Sequence, residues 1–291
     1  MKHRIAILGK NGRLGAALCR ALADCFEILP FDRANLDLTK PLVSQLAGAE
    51  FDLLINTAAA TNVDWCEGHE HEAAWINGHA VGTLGIICAE RGVRCVHVST
   101  DYVFDGSSSR PCTEEDEASP VCVYGLTKRL GEKLLLEADP RHLVIRVSWV
   151  FGPHKPSFID WALDQATSRT TLSAIDDKFA APTYTLDFAQ WIRPLLFDSA
   201  IGGILHLCNS GSCSWREYAQ FAIDAARDQG VKVTAPEVQP IPLSSMKAFI
   251  AARPINSVMA TGKYSKITGV VPRSWQEAVR EFVQRKFSGT R

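Results

Sequence analysis

The sequence predicts an α/β protein built on a doubly wound parallel sheet, with a smaller, discontinuous region packed over the carboxyl ends of its strands. Three observations carry that expectation. Short β-branched or apolar runs alternate with longer amphipathic stretches through the first half of the chain, and such alternation implies right-handed crossovers with helices on both faces of a parallel sheet. The first run, RIAIL, leads straight into a glycine-rich turn and then a helix. After about residue 150 the rhythm loosens, with no internal repeat and no low-complexity linker.

In chain order, RIAIL, EILPF, DLLIN, RCVHVS and HLVIRVS read as strands, each a short apolar run between polar breaks. GRLGAALCRALA, EAAWINGHAVGTLGIICAERG and YGLTKRLGEKLLLEA read as helices, with apolar residues recurring at spacings of three and four. In the second half, SFIDWALDQATS and TLDFAQWIRPLLF read as helices, and TLSAI and ILHLC as strands. SWREYAQFAIDAARDQG is a helix with a serine cap and a glycine stop. The segment 231–260 is proline-rich and irregular, and SWQEAVREFVQRK closes the chain as a helix.

Composition excludes several classes of function. The 291 residues are 46% hydrophobic and 22% charged, ordinary for a soluble globular protein with ample core. Lys and Arg number 31 against 32 Asp and Glu, with no basic block, which speaks against a nucleic-acid partner. No apolar run approaches the ~18 residues of a membrane span. MKHRIAILGKNG reaches glycine too soon for the core of a signal peptide. The nine cysteines are odd in number and scattered, several in apolar segments, so reduced, buried thiols in a cytoplasmic protein are expected. Cys66, His69 and His71 in CEGHEH are only loosely spaced like a zinc site, and no second cluster completes four ligands. A solvated loop or helix start is the expectation there, and no metal is expected.

The turn after RIAIL runs Gly9-Lys10-Asn11-Gly12-Arg13-Leu14-Gly15. Gly9 allows a tight turn, Gly12 lets backbone N–H groups approach a pyrophosphate, and Gly15 permits close helix–strand packing beneath it. The spacing is G-x-x-G-x-x-G and not G-x-G-x-x-G, so it is the position between strand and helix that points to a dinucleotide cofactor and a Rossmann-like fold. Gly9, Asn11, Gly12, Arg13, Leu14 and Gly15 are the expected phosphate cradle. Asp32, at the end of EILPFD, lies 20 positions beyond Gly12, where an acid commonly bonds the adenosine ribose and disfavours a 2′-phosphate. Arg33 follows at once, and Lys10 and Arg13 sit in the turn, so NADPH and NADH both stay open.

In VYGLTKRLGEK, Tyr124 and Lys128 share one helix face, about one turn or ~6 Å apart along the axis. Tyr-x-x-x-Lys occurs by chance in many helices. Here, however, the strand before it ends in Ser99-Thr100-Asp101, at the edge of the sheet where the cofactor is expected. A hydroxyl, a phenol and an ammonium are the groups that ketone reduction requires, because the oxyanion that forms as hydride arrives must take a proton. A free tyrosine has a pKa of about 10, and a nearby ammonium stabilises tyrosinate, each unit being worth roughly 1.36 kcal/mol.

GKNGRLG, INTAAATNVDWCE, HVSTDYVFDG, VYGLTKRLGEK, IRVSWVFG, IDDKFAAPTY, HLCNSGSCSWREYA and ARPINSVM appear in one order along the chain. That set closely resembles the extended short-chain dehydrogenase/reductases, and within them the dTDP-4-dehydrorhamnose reductase family, over nearly the whole length. The resemblance implies a catalytic trio of Thr100, Tyr124 and Lys128, with Lys128 also bonding the nicotinamide ribose. Asn56, Ala58 and Ala59 would line the cofactor after the fourth strand. Thr100, Asp101, Trp149, Phe158 and Arg253 would face a nucleotide-sugar substrate, although Trp149 in isolation reads as core. The sequence departs from the family twice. Pro156-Ser157-Phe158 stands where the family has Asn-Asn-Phe, and Ala251-Ala252-Arg253-Pro254 leaves a single arginine to face a pyrophosphate.

The resemblance further implies residues 1–152 as the NAD(P)-binding domain. Residues 153–291 would be mainly substrate-binding, with segments around 179–208 returning to the first domain. The implied reaction is NAD(P)H-dependent reduction of the 4-keto group of a nucleotide-linked 6-deoxy sugar, dTDP-4-dehydro-L-rhamnose giving dTDP-L-rhamnose for polysaccharide biosynthesis. Another nucleotide-sugar reductase or epimerase, or a regulatory subunit resembling the methionine adenosyltransferase β subunit, shares the fold. A homodimer stays open.

Overall fold

The five apolar runs of the first half are strands in a computed structural model that describes residues 2–288. They are β1 (Arg4–Leu8), β2 (Glu27–Phe31), β3 (Leu53–Asn56), β4 (Arg94–Thr100) and β5 (Leu143–Val147). Later strands are short: β6 (Val150–Phe151), β7 (Leu172–Ile175), β8 (Phe179–Ala180), β9 (Thr183–Tyr184), β10 (Gly203–His206), β11 (Cys213–Ser214) and β12 (Val238–Ile241). The central sheet is parallel throughout, in the order β10-β5-β4-β3-β1-β2. A late strand therefore returns to the sheet beside β5.

The helices are α1 (Arg13–Leu22), α2 (Leu42–Leu46), α3 (Val63–Gly68), α4 (Glu70–Ala74), α5 (Ala80–Glu90) and α6 (Val123–Ala138). They continue with α7 (Phe158–Ser168), α8 (Thr185–Trp191), α9 (Trp215–Asp228), α10 (Gly262–Thr268) and α11 (Trp275–Phe287). In the central sheet side chains alternate across each strand, so each of its strands feeds the cores on both faces. Ile5, Ile7, Ile55, Val96, Val98 and Ile145 pack with Leu14 and Leu18 of α1 and Phe188 of α8. On the other face Ala6, Leu8, Leu54, Cys95 and Val144 pack with Val81, Leu84 and Cys88 of α5 and Leu135 of α6. Each such Leu, Ile or Val stabilises by about 1.5–3 kcal/mol through burial. A third core joins α7, α9 and α11 through Leu163, Tyr218, Ala222, Phe282 and Val283. No helix among the described residues is long and apolar enough to cross a membrane.

Several expectations change. The stretch read as one helix over EAAWINGHAVGTLGIICAERG is α4, a π-helical turn at Trp75–His79, and then α5. TLDFAQWIRPLLF stops being α-helical at Trp191, and Arg193–Leu195 is a 3-10 turn around Pro194, which lacks the N–H an α-helix needs. The segment 231–260 is not wholly irregular, because Val238–Ile241 pairs in parallel with β7. Asn56 closes the third strand, not the fourth, and Ala58 and Ala59 follow it. In CEGHEH, Cys66 is buried in α3 while His69 and His71 stay exposed at the α3–α4 junction. Among the described residues no group of three or more His, Cys, Asp or Glu could hold a metal ion. Of the nine cysteines, all free, Cys25 is exposed and Cys19 half-buried, and the other seven are buried.

Candidate active site

Register places the candidate chemistry. Leu8 pairs with Asn56, and Asn56 pairs with His97, so β4 runs three residues past the end of β3 and carries Ser99 and Thr100 beyond it. Glu132 of α6 braces that projection. Its carboxylate accepts from Ser99 Oγ at 2.6 Å and from Arg146 Nε and Nη2 at 2.8 and 2.7 Å, with every partner buried. The brace fixes α6 against the end of β4, which sets Tyr124 and Lys128 opposite Thr100.

Thr100 is buried, donates to Asp101 Oδ1 at 3.1 Å and accepts the Tyr102 N–H at 3.2 Å. Asp101 also accepts from Ser257 Oγ at 2.5 Å, and burial raises its pKa. Tyr102 meets Tyr124 edge-on at 5.6 Å. Burial raises the Tyr124 phenol above its ordinary value, and a hydrogen bond with the Thr100 hydroxyl pulls the other way. The sequence led to the expectation that an ammonium would lower this phenol, but in the structure desolvation wins. Lys128 is itself desolvated, with its pKa brought down to about 7. Its Nζ lies 2.8 Å from His97 Nε2 and donates to the Val98 carbonyl at 2.7 Å.

The glycine turn sits at the end of β1 as expected. Gly9 has φ +87°, and a Cβ there would fall 2.7 Å from Thr57 Oγ1, while a Cβ on Gly15 would collide with the Gly9 carbonyl. Both positions exclude any side chain. Helix α1 starts beyond Gly12 with no side-chain cap, which leaves first-turn N–H groups to an outside acceptor. Asn11 donates to Asp32 Oδ2 at 3.2 Å, and Lys10 Nζ lies 3.1 Å from the same oxygen, so the acid is held beside the turn. Leu14 faces the core instead. Arg33 is exposed and lies 3.8 Å from Asp37. Asn56 Oδ1 accepts the Ala58 N–H at 3.0 Å, and Asn77, from the π-helical turn, bonds both the N–H and the carbonyl of Ala60. The loop that carries Ala58 and Ala59 is pinned at both ends.

On the other side, Arg13 donates to the Pro156 carbonyl and ties the turn to the loop before α7. Arg13, Trp149, Phe158, Trp215 and Tyr218 line a cavity of about 190 Å³. Trp149 has φ +41°, rare for a bulky residue, and its buried Nε1 has no hydrogen-bond partner among the described residues. Tyr218 OH is unpartnered as well. Arg253 does not stand free. Asp64 takes it at 2.9 and 2.6 Å, and its guanidinium lies 3.8 Å over the Phe249 ring.

The structure thus gathers Thr100, Asp101, Tyr124 and Lys128 at β4 and α6. Trp149, Phe158 and Arg13 form a cavity wall that Lys178 joins to this group, its Nζ lying over both the Tyr102 and the Trp149 rings, and Arg253, beside Asp64, reaches the same wall through Phe249 and Trp215, while Asp32 and Arg33 lie at the end of β2. Sequence reasoning passed over His97, Asn77, Asp64 and Lys178. Lys178 is fully buried, donates to the Pro254 carbonyl at 2.7 Å and sits 5.1 Å over the Tyr102 ring, with its pKa down to about 8 through burial. A signal existed for His97, a polar residue on the inward face of an apolar strand. None existed for the others, whose partners lie far off in the chain.

A family model described as RmlD substrate binding domain matches residues 3–287. The chain is 31% identical over 288 residues to the spore coat polysaccharide biosynthesis protein SpsK of Bacillus subtilis, with 98% of each covered. It is 32% identical over 296 residues to the dTDP-4-dehydrorhamnose reductase of Salmonella typhimurium, covering 98% of this chain and 99% of the relative. Among solved structures, dTDP-4-dehydrorhamnose reductase from Bacillus anthracis in complex with NADP superposes with a TM-score of 0.90 at 29% identity, over 98% of this chain and 100% of that one.

Proposed function

Because the chain belongs to the dTDP-4-dehydrorhamnose reductase family, we propose that it reduces the 4-keto group of a dTDP-linked 6-deoxy sugar with NADPH or NADH, converting dTDP-4-dehydro-L-rhamnose to dTDP-L-rhamnose. What supports the reading most is the meeting of the Thr100 hydroxyl and the Tyr124 phenol at the carboxyl end of the sheet, one helical turn from Lys128. The uncapped turn, with no room for a Cβ at Gly9 or Gly15, fits a dinucleotide phosphate. Asp32 and Lys10 would hold the adenosine ribose, and Asn56, Ala58 and Ala59 would flank the cofactor.

Bound reduced nicotinamide supplies a hydride to C4 of the sugar. Tyr124 gives its proton to the C4 oxygen as negative charge grows there, a step worth about 10²–10⁴ in rate. Thr100 turns its single O–H from Asp101 to donate to the same oxygen. Lys128 would hold the nicotinamide ribose and, as an ammonium, would stabilise the tyrosinate left behind. Trp149 and Phe158 offer apolar faces to the sugar, and Arg253 faces the diphosphate once Asp64 shares it. In this division of labour residues 1–152 hold the cofactor, and 153–291 mainly hold the sugar nucleotide.

The experiment is incubation with a panel of 4-keto nucleotide sugars while nicotinamide absorbance is followed. Cofactor oxidation with the dTDP-4-keto-6-deoxy sugar, and formation of dTDP-L-rhamnose, support the reading. Absence of turnover with every 4-keto sugar overturns it. The homodimer left open by the resemblance is tested by the mass in solution, where a single-chain mass excludes it.

A further inference from the structure

We propose that His97 is a positioning residue that keeps Lys128 as a neutral amine until the cofactor arrives, so that cofactor binding draws one proton from solvent onto Lys128. The argument is an accounting of hydrogens along a buried chain of four bonds. Asn56, His97 and Lys128 are each 1% exposed or less. Asn56 Oδ1 is committed to the Ala58 N–H at 3.0 Å, which turns its Nδ2, a donor only, toward His97 Nδ1 at 3.1 Å. An amide is oriented by its network, and the opposite orientation would set two donors against each other at Ala58.

His97 Nδ1 is therefore the acceptor, so the proton of the neutral ring sits on Nε2. That Nε2–H faces Lys128 Nζ at 2.8 Å. An ammonium has no lone pair to receive it, whereas an amine does, and the amine still donates to Val98 O at 2.7 Å. A doubly protonated His97 is excluded by the same Asn56 donor and by burial, which lowers its pKa.

The charged and titratable groups around Lys128 do not reverse this. From its own helix come Tyr124 and Glu132. Glu132 favours the charged form, but its oxygens are spent on Ser99 of β4 and on Arg146 of β5, whose positive charge offsets it. From β4 the facing group is His97 itself, which opposes the ammonium in this tautomer. A ribose offers hydroxyl oxygens as acceptors, which His97 Nε2–H is not. Lys128 can leave the ring, take a proton and bond there. The inference rests on the reading of Lys128 as the residue that bonds the cofactor ribose.

The test is calorimetric titration of the full chain with NADH near pH ~8 in two buffers of different ionisation enthalpy, which counts protons exchanged on binding. Wild type should take up close to about one proton per site, and Lys128→Met should take up none. Asn56→Asp puts an acceptor against His97 Nδ1, moves the ring proton there and frees Nε2 to accept from an ammonium. Proton uptake per NADH bound should be cut at least threefold, whatever the change in affinity, although residue 56 does not touch Lys128. His97→Gln, whose carbonyl can accept from the ammonium, should behave alike. A purely structural role for His97 would alter affinity or melting temperature and leave the proton count in place. No uptake by wild type, uptake persisting in Lys128→Met, or undiminished uptake in whichever of the other two variants folds, overturns the proposal. The measurement needs no sugar, so its failure is distinct from failure of the reductase assay.

Discussion

A phenol set as deeply as the Tyr124 hydroxyl resists ionisation, so its proton leaves only when a stronger base, the growing alkoxide, forms beside it. Tyr124→Phe should therefore lower kcat by ~10²–10⁴ and leave the Kd for NADH nearly unchanged, as read by single-turnover rates and fluorescence titration. A variant keeping more than about a tenth of the wild-type rate would remove Tyr124 as the donor. Cofactor choice is also decided residue by residue. Asp32 alone would repel a 2′-phosphate, yet Lys10 already lies 3.1 Å from it and brings a positive charge to the same place. The expected outcome is dual use, with kcat/KM for NADH and NADPH within about thirtyfold. Lys10→Ala should damage NADPH use more than NADH use, and Asp32→Ala should do the opposite. An unchanged ratio in both variants would show that neither side chain reads the ribose. The sequence pointed to Asp32 and Arg33 because they follow the second strand. It gave no sign that Lys10 would turn back onto Asp32 while Arg33 faced solvent, because strand spacing does not determine which way an exposed side chain points.

Two of the polar joints between elements can be tested. The first is the Glu132–Arg146 pair, 0% and 2% exposed, which clamps α6 to β4 and β5. Glu132→Ala leaves a buried guanidinium uncompensated and should cost about 3–5 kcal/mol in denaturant unfolding. A loss below ~1 kcal/mol would mean the helix is held by its apolar face alone. The second is the capture of the 249–253 stretch by α3, through Asp64 bonding the Ile250 and Ala251 N–H groups and Arg253. The Arg253 guanidinium and those N–H groups hold the Asp64 pKa down to about 2 from an ordinary 3.8. A depressed folded-state pKa stabilises fully above the unfolded value and is lost as pH falls through the folded one. Stability from this pair should thus decline between pH ~4 and ~2, by about 1–2 kcal/mol after allowing for solvent screening. Asp64→Asn should flatten that acid limb of the melting curve, and an identical limb in wild type and variant would contradict it. Long periodic helices such as α6 were legible because apolar spacing alone specifies them. The π-helical turn was not, because it exists to place Asn77 against Ala60 and Thr127, partners that no local pattern announces. β12 was hidden for a similar reason, since its pairing with β7 outweighs the Pro240 that makes the segment read as irregular.

At the scale of the molecule, the alternation of strands and helices was enough to give the parallel sheet, and the glycine turn at its first corner was enough to orient it. Motif order along the chain carried the family. The geometry around Arg253 could not be read, because it depends on residues 64 and 253 meeting across the two halves of the chain. The order of the sheet has a further consequence, for synthesis. β5 lies between β4 and β10, and β10 is Gly203–His206, some sixty residues later in the chain. While a ribosome makes the intervening segment, the outer edge of Leu143–Val147 has no neighbour, and its N–H and C=O groups face water along an otherwise apolar strand. A nascent chain stalled near residue 200 therefore presents a sticky, open border, and its passage to the complete sheet is the interval in which a chaperone has most to protect.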